Sequence, residues 1–206
     1  NNLGLVIRRS HLKVVSDIVQ FFPTSFYLCK NLLNKKTLKS LQRKAKLIQA
    51  EKERGGKNWL SETYNTLGTY DLQKDKSFKI LLEKIEDKVL EFTKRHNSDY
   101  RYKIQESWLN VYNKSDYQEY HHHPNSTFSA VYFLKASENC SRIVFENPIE
   151  PEMITIKDIK QHNPLTFKTC FFPPVENGLI IFRSYLRHMV EKQNTDYERM
   201  TVAANL

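Results

Sequence analysis

Three histidines stand in a row, His121, His122 and His123, at the head of an apolar, β-branched and aromatic stretch, residues 120–134 (Tyr-His-His-His-Pro-Asn-Ser-Thr-Phe-Ser-Ala-Val-Tyr-Phe-Leu). In extended chain successive side chains point to opposite faces, so His121 and His123 share a side and His122 points away. Two imidazoles on one side of a strand can chelate a transition metal, and a third ligand must then come from elsewhere. The stretch 178–190 (Gly-Leu-Ile-Ile-Phe-Arg-Ser-Tyr-Leu-Arg-His-Met-Val) offers one, because it reads as a buried strand ending in a short loop that carries His188. The ordinary alternative for a histidine run is a solvated loop. A chance surface run does not explain a further histidine at a second strand end.

A metal held by His121, His123 and His188 keeps coordination positions open. Imidazole ligation suits iron, zinc, copper or nickel, and a facial set of two histidines and one carboxylate marks non-haem Fe(II) oxygenases. Such an iron needs an electron-donating cosubstrate, usually 2-oxoglutarate, whose carboxylate calls for a cation inside the protein. Arg199 follows His188 on the next strand. Arg199-Met200-Thr201 puts a guanidinium and a hydroxyl on one face, able to grip one carboxylate. A strand-end salt bridge to a glutamate is the plain alternative for Arg199.

The elements that must position these groups follow from the hydrophobic pattern. Residues 1–20 show no firm period. Residues 21–28 read as an edge strand with Pro23 at its start. Thr37 opens a helix with an apolar stripe of Leu38, Leu41, Ala45 and Ile48, ended by Gly55-Gly56. Residues 57–72, rich in Tyr, Thr and Asn, read as a loop with strand character, a lining suited equally to substrate contact or to ordinary packing beside the sheet. A second helix is capped by Ser77 and carries Phe78, Leu81, Leu82, Ile85, Val89 and Phe92 at helical spacing. From residue 100 the period becomes that of strands. The segment Tyr102–Tyr112, the histidine stretch, the segment Arg142–Pro148, the segment Gly178–Phe182 and the segment Arg199–Asn205 all read as strands, and residues 149–177 as irregular chain. Two helices followed by short strands without a βαβ rhythm predict an α+β fold built on a sandwich or jelly roll.

Composition narrows the classes. At 206 residues with 40% hydrophobic and 12% aromatic content the chain is expected to be one globular domain, residues 1–206, with a helical support region over 1–98 and a β core over 99–206. No apolar run suits a membrane span and no signal peptide is visible, and Cys29, Cys140 and Cys170 form no framework, so a reducing, cytoplasmic location is expected. The net charge of +9 is concentrated in residues 1–57, which hold 13 basic and 3 acidic residues. Such a stretch can track nucleic acid, and more often it is a solvated helix face.

With these pieces in order, residues 107–206 resemble the uncharacterised Fe(II)/2-oxoglutarate-dependent oxygenases of phages and marine bacteria, in the prolyl-hydroxylase-like superfamily. The matching pieces are Trp108-Leu-Asn110, His121-x-His123-Pro-Asn-Ser, Ser129-Ala-Val-Tyr132, Phe145-Glu-Asn-Pro148, and Gly178 to His188 followed by Arg199. Residues 21–24 and the segment Tyr64–Tyr70 look like that family too. The resemblance implies a double-stranded β-helix with Fe(II) at one end and 2-oxoglutarate as cosubstrate, in the host cytoplasm if phage-encoded. It implies His121 and His188 as iron ligands, Arg199 as the anchor of the far carboxylate, and Asn110, Tyr132 and Thr201 as cosubstrate contacts. One departure matters, because His123 stands where the superfamily has Asp or Glu. Either the triad is His121, His123 and His188, which strand period favours, or a carboxylate arrives from elsewhere, with Glu146 ahead of Asp116 and Glu119. A register with His123 first would put Asn125 at the acid position. His122 points out or supports the ligands from behind. A missing carboxylate also leaves room for a halide. The implied activity is hydroxylation of a protein side chain or small molecule. A demethylating enzyme acting on nucleic acid and a non-catalytic metal-binding barrel are the alternatives.

Overall fold

The computed structural model describes residues 22–149 and 156–206. The expectations for residues 1–20, Phe21 and Pro151 lie outside them. Among the described residues, ten strands form two antiparallel sheets. β1 (Tyr27–Cys29), β2 (Tyr64–Asn65), β3 (Glu106–Tyr112), β5 (Phe128–Lys135), β8 (Leu179–Arg183) and β10 (Arg199–Asn205) make a six-stranded sheet in the order β1-β8-β5-β10-β3-β2. β4 (Gln118–His121), β6 (Ile143–Glu146), β7 (Thr169–Phe172) and β9 (His188–Val190) make a four-stranded sheet in the order β4-β9-β6-β7. The pair is the jelly roll expected from the strand pattern, and α1 (Lys35–Glu51) and α2 (Lys79–Lys94) cover the outer face of the larger sheet. β1 and β2 show that the first 98 residues supply strands as well as helices.

Strand parity creates two cores. Met200, Val202 and Ala204 of β10, with Leu109 and Val111 of β3, face the helices and pack on Leu41, Ile48, Leu81, Ile85 and Val89. The opposite parity faces the smaller sheet, where Phe133, Ile143, Phe145, Ile180, Phe182 and Leu186 form a second cluster. The apolar stripe of α2, from Phe78 to Phe92, is buried as its spacing predicts.

Several boundaries differ from expectation. Asn34, not Thr37, caps α1, its side chain accepting from the Thr37 N–H at 2.9 Å. The helix stops at Glu51, ahead of the glycines. Ser77 does not cap α2; the N-cap position is Phe78, and the Ser77 N–H donates to Asp75. The irregular stretch contains β7, whose Phe172 packs on Phe26 and Phe145. Most important, residues 120–134 are not one strand. β4 ends at His121, the chain turns through residues 122–127 with Asn125 at φ 71°, and β5 begins in the other sheet. Asn is among the few residues that accept that conformation cheaply, and Pro124 beside it discourages ladder pairing.

Candidate metal and cosubstrate site

The register of the smaller sheet builds the cluster. His121 of β4 lies directly opposite His188 of β9, which places their ring centroids 4.2 Å apart. His123 sits beyond the strand end, where its N–H donates to the Ser184 carbonyl at 3.0 Å. That bond folds the turn back, bringing the His123 ring to 5.0 Å from His121 and 5.2 Å from His188. One nitrogen from each imidazole lies within 4.8 Å of the others, a group able to hold one metal ion. His122 is exposed, as alternation requires.

Two of the rings are oriented by backbone. Nδ1 of His121 donates to the Glu119 carbonyl and Nδ1 of His188 to the Leu186 carbonyl, each at 2.8 Å. A carbonyl only accepts, so Nδ1 carries the proton and Nε2 keeps its lone pair for a metal. Burial pulls all three imidazoles below the ordinary histidine range, His123 to about 3 and His188 far down; His121 adds to this for His123, and His121 and His123 add to it for His188. They therefore stand neutral at physiological pH, as ligation requires. The unfolded chain takes protons near pH 6.5, whereas the folded one does not until lower pH. The metal-free protein is thus expected to lose stability as pH falls through that window, down towards about 3 for His123. Thermal midpoints of the wild type and His123→Gln between about pH 7.5 and about 5 check this. The wild type should fall more steeply, and equal slopes would show that His123 is not held neutral.

No carboxylate joins the group among the described residues. Glu146 shares β6 with Phe145, and parity turns Phe145 onto His188 at 5.5 Å while Glu146 pairs with Arg187 at 3.0 Å. Asp116 accepts the Asn113 N–H in the preceding turn, at 2.7 Å. Glu119 accepts the N–H groups of Leu60 and Ser61. Glu146→Gln is accordingly expected to leave metal affinity within about threefold of wild type, well short of the 10- to 100-fold that supporting residues carry; a larger loss in an iron titration would restore it as a ligand.

The β3–β10 pair supplies the far wall of the same pocket. Its register sets Arg199 opposite Tyr112 and Thr201 opposite Asn110, all facing inward. Asn110 Nδ2 donates to Thr201 Oγ1 at 3.3 Å, which leaves the Thr201 hydroxyl proton free to donate elsewhere. Arg199 is fully buried, stacked 4.5 Å from the Tyr112 ring and 5.2 Å from that of Phe133. Burial lowers its pKa and the nearby Tyr112 hydroxyl offsets part of that, yet none of its three nitrogens has a hydrogen-bond partner among the described residues. A buried, unpaired guanidinium is costly, and an anion in the pocket would relieve that cost. The strand-end salt bridge considered for Arg199 is absent among the described residues.

Tyr132 is not in the pocket. It has helix-side parity on β5, and its hydroxyl donates to Asn177 Oδ1 at 2.8 Å. Val131, one residue earlier, lines the pocket instead. The 57–72 segment does reach the pocket, through Trp59, Asn65 and Leu67, while pattern reading gave no site role to Trp108, Tyr112 or Gln118, which also line it. Trp108 and Tyr112 share the parity of Asn110 and were findable that way. Trp59 comes from the loop between α1 and β2, and its ring meets His121 edge-on at 4.7 Å. Glu119 holds that loop, and Gly56, at φ +58°, lets it close: a Cβ there would stand 2.8 Å from Trp59 and 2.9 Å from Asn65. The basic stretch of α1 lies on the other side of the larger sheet from the pocket. Lys35, Lys36, Lys39 and Arg43 are exposed there, while Lys44 pairs with Asp75 and Lys46 with Glu198.

The fold is a jelly roll whose pocket gathers three histidines able to hold one metal ion. Residues 106–205 match the family model described as "Putative 2OG-Fe(II) oxygenase", and that segment belongs to the family. It carries the three histidines, Asn110, Arg199 and Thr201. No curated protein matches the sequence. The structure is similar to a Pseudomonas putida prolyl-4-hydroxylase (TM-score 0.61, 12% identity, covering 88% of this chain and 91% of that one). It is also similar to the viral collagen prolyl hydroxylase of Paramecium Bursaria Chlorella virus-1, solved with 2OG (TM-score 0.56, 15% identity, 87% and 94%). A third is the epimerase SnoN of nogalamycin biosynthesis, solved with Fe3+ and alpha ketoglutarate (TM-score 0.65, 11% identity, 88% and 78%). The chain is an Fe(II)/2-oxoglutarate-dependent oxygenase with a prolyl-hydroxylase-like fold, and Fe(II) and 2-oxoglutarate are its metal and cosubstrate. No helix among the described residues is long and apolar enough to cross a membrane.

Proposed function

We propose that the protein hydroxylates a C–H bond of a protein side chain or small molecule, with His121, His123 and His188 as the iron ligands and Arg199 as the anchor of the 2-oxoglutarate carboxylate remote from the metal. The observation that carries this reading is the buried, unpartnered Arg199 in one pocket with three neutral imidazoles. Bound Fe(II) with 2-oxoglutarate and O₂ supplies the oxidising power, the cosubstrate leaving as succinate and CO₂ while one oxygen atom enters the substrate. Residues of the chain do the rest. His121 and His188 present Nε2 from carbonyl-anchored rings. Arg199 can close two parallel hydrogen bonds on a carboxylate, and the Thr201 hydroxyl and Asn110 amide stand beside it to add a third. Trp59 and Trp108 wall the cluster with aromatic surface, which excludes water and suits an apolar C–H segment.

With His123 as third ligand no vacated position remains for a halide, so hydroxylation is preferred to halogenation. We also take residues 1–206 as a single oxygenase domain, with 1–98 supporting the 99–206 barrel. The test is an anaerobic titration of the Fe(II)-loaded protein with 2-oxoglutarate, followed by the weak visible charge-transfer absorption that the chelated cosubstrate produces. Absorption that saturates with 2-oxoglutarate is expected. Iron binding without it would sink the cosubstrate assignment.

A further inference from the structure

His121 and His188 are oriented by carbonyls of their own strand or loop, but His123 is not. Its Nδ1 faces the side-chain amide of Asn205, on the last strand, with Nδ2 at 3.4 Å. Asn205 Oδ1 accepts from Ser129 Oγ at 2.9 Å, and Ser129 Oγ lies 2.9 Å from Ser184 Oγ. All three polar side chains are buried, Ser184 completely. A buried chain of hydroxyls and an amide that ends on an imidazole needs a reason, because polar groups cost stability in a barrel unless each bond is made.

The direction of the chain decides what His123 can do. With Nδ2 donating to Nδ1, the His123 proton sits on Nε2 and neither nitrogen is left to ligate. A half-turn of the amide reverses every link. Then His123 Nδ1 donates to Asn205 Oδ1, Nδ2 donates to Ser129 Oγ, and the Ser129 hydroxyl donates to Ser184. All bonds remain made, since hydroxyls donate or accept equally well. Nε2 of His123 is now a lone-pair donor matching those of His121 and His188.

We propose that Asn205 is a positioning residue that, through Ser129 and Ser184, sets the tautomer of His123 and so makes it the third iron ligand in place of a carboxylate. The inference rests on the iron site proposed above and adds what that site requires of β10. Other imidazole ligands commonly hold their second nitrogen in this way; here the support comes from a reversible amide, so it acts as a two-position switch between ligating and non-ligating His123.

The test has two readouts. In metal-free protein, ¹⁵N NMR of His123 reports the tautomer directly. Nδ1–H is expected, and Nε2–H as the only form would overturn the proposal. Next, Fe(II) and Co(II) affinities are measured for the wild type, Asn205→Leu and Asn205→Asp. Leucine removes the partner and should weaken metal about 10- to 100-fold. Aspartate can only accept, so it enforces Nδ1–H and should keep affinity at or above wild type. Equal affinity in the leucine variant, or loss in aspartate but not leucine, would overturn the proposal. If the wild type itself binds no metal, the iron assignment fails, while the tautomer of the metal-free protein still decides the role of Asn205.

Discussion

His188→Ala is expected to abolish iron binding, with affinity falling more than about 100-fold, beyond the range seen when only a supporting residue is lost. His188 is the most enclosed of the three imidazoles, 3% exposed, and both other rings pack against it. Its removal leaves two ligands on one short segment, too few for stable chelation of iron. The same change opens a gap beside Phe145 and Phe182, worth roughly 2–4 kcal/mol of stability. Circular dichroism and a thermal scan must therefore accompany the iron titration. His188→Gln gives a second reading with less lost volume and should bind iron no better. His122→Ala, altering an exposed ring, should leave affinity unchanged. Full iron occupancy in a folded His188→Ala protein would show the triad to be wrongly assigned.

Arg199→Ala separates cosubstrate from metal. Iron affinity should stay within about threefold of wild type, less than the change expected for residues that support the ligands. The 2-oxoglutarate affinity should fall by about 2–5 kcal/mol, roughly 30- to 4,000-fold, the usual cost of deleting one partner of a buried charged pair. The charge-transfer absorption should then appear only at correspondingly higher 2-oxoglutarate. Lysine at this position keeps the charge and loses the two-pronged donor set, so Arg199→Lys should recover only part of the loss. A further sign distinguishes this residue from a structural arginine. Because the guanidinium has no partner among the described residues, Arg199→Met should raise the thermal midpoint of the cosubstrate-free protein. A drop in midpoint with unchanged 2-oxoglutarate binding would mean that Arg199 serves packing alone.

Much of this site was readable from spacing, and the exceptions have physical causes. On β10 the alternation Arg199, Thr201, Ala203 against Met200, Val202, Ala204 is borne out residue for residue, since regular pairing with β3 and burial on both faces hold the strand's parity even where its register with β5 shifts between Met200 and Thr201. Tyr132 failed by one residue of parity: a tyrosine in a jelly-roll strand suits either face, and its choice followed from Asn177, a partner 45 residues away. Glu146 failed in the same way, since Phe145 claimed the inward position beside Phe182 and His188. The caps of α1 and α2 were misplaced because several short polar residues adjoin each helix start and local sequence does not rank them.

Period and residue type were enough for the helices, the β-rich second half and the set of histidines and arginine that could do chemistry, because these depend on neighbours in the chain. The meeting of those groups depended on pairing across the sheets. His121 faces His188 through strand register, and His123 joins them because its strand ended early and the turn was drawn back to Ser184. The amide of Asn205 reached His123 across 82 residues. Such contacts rest on which strands lie side by side, a choice made by burial of the whole core and carried by no single segment.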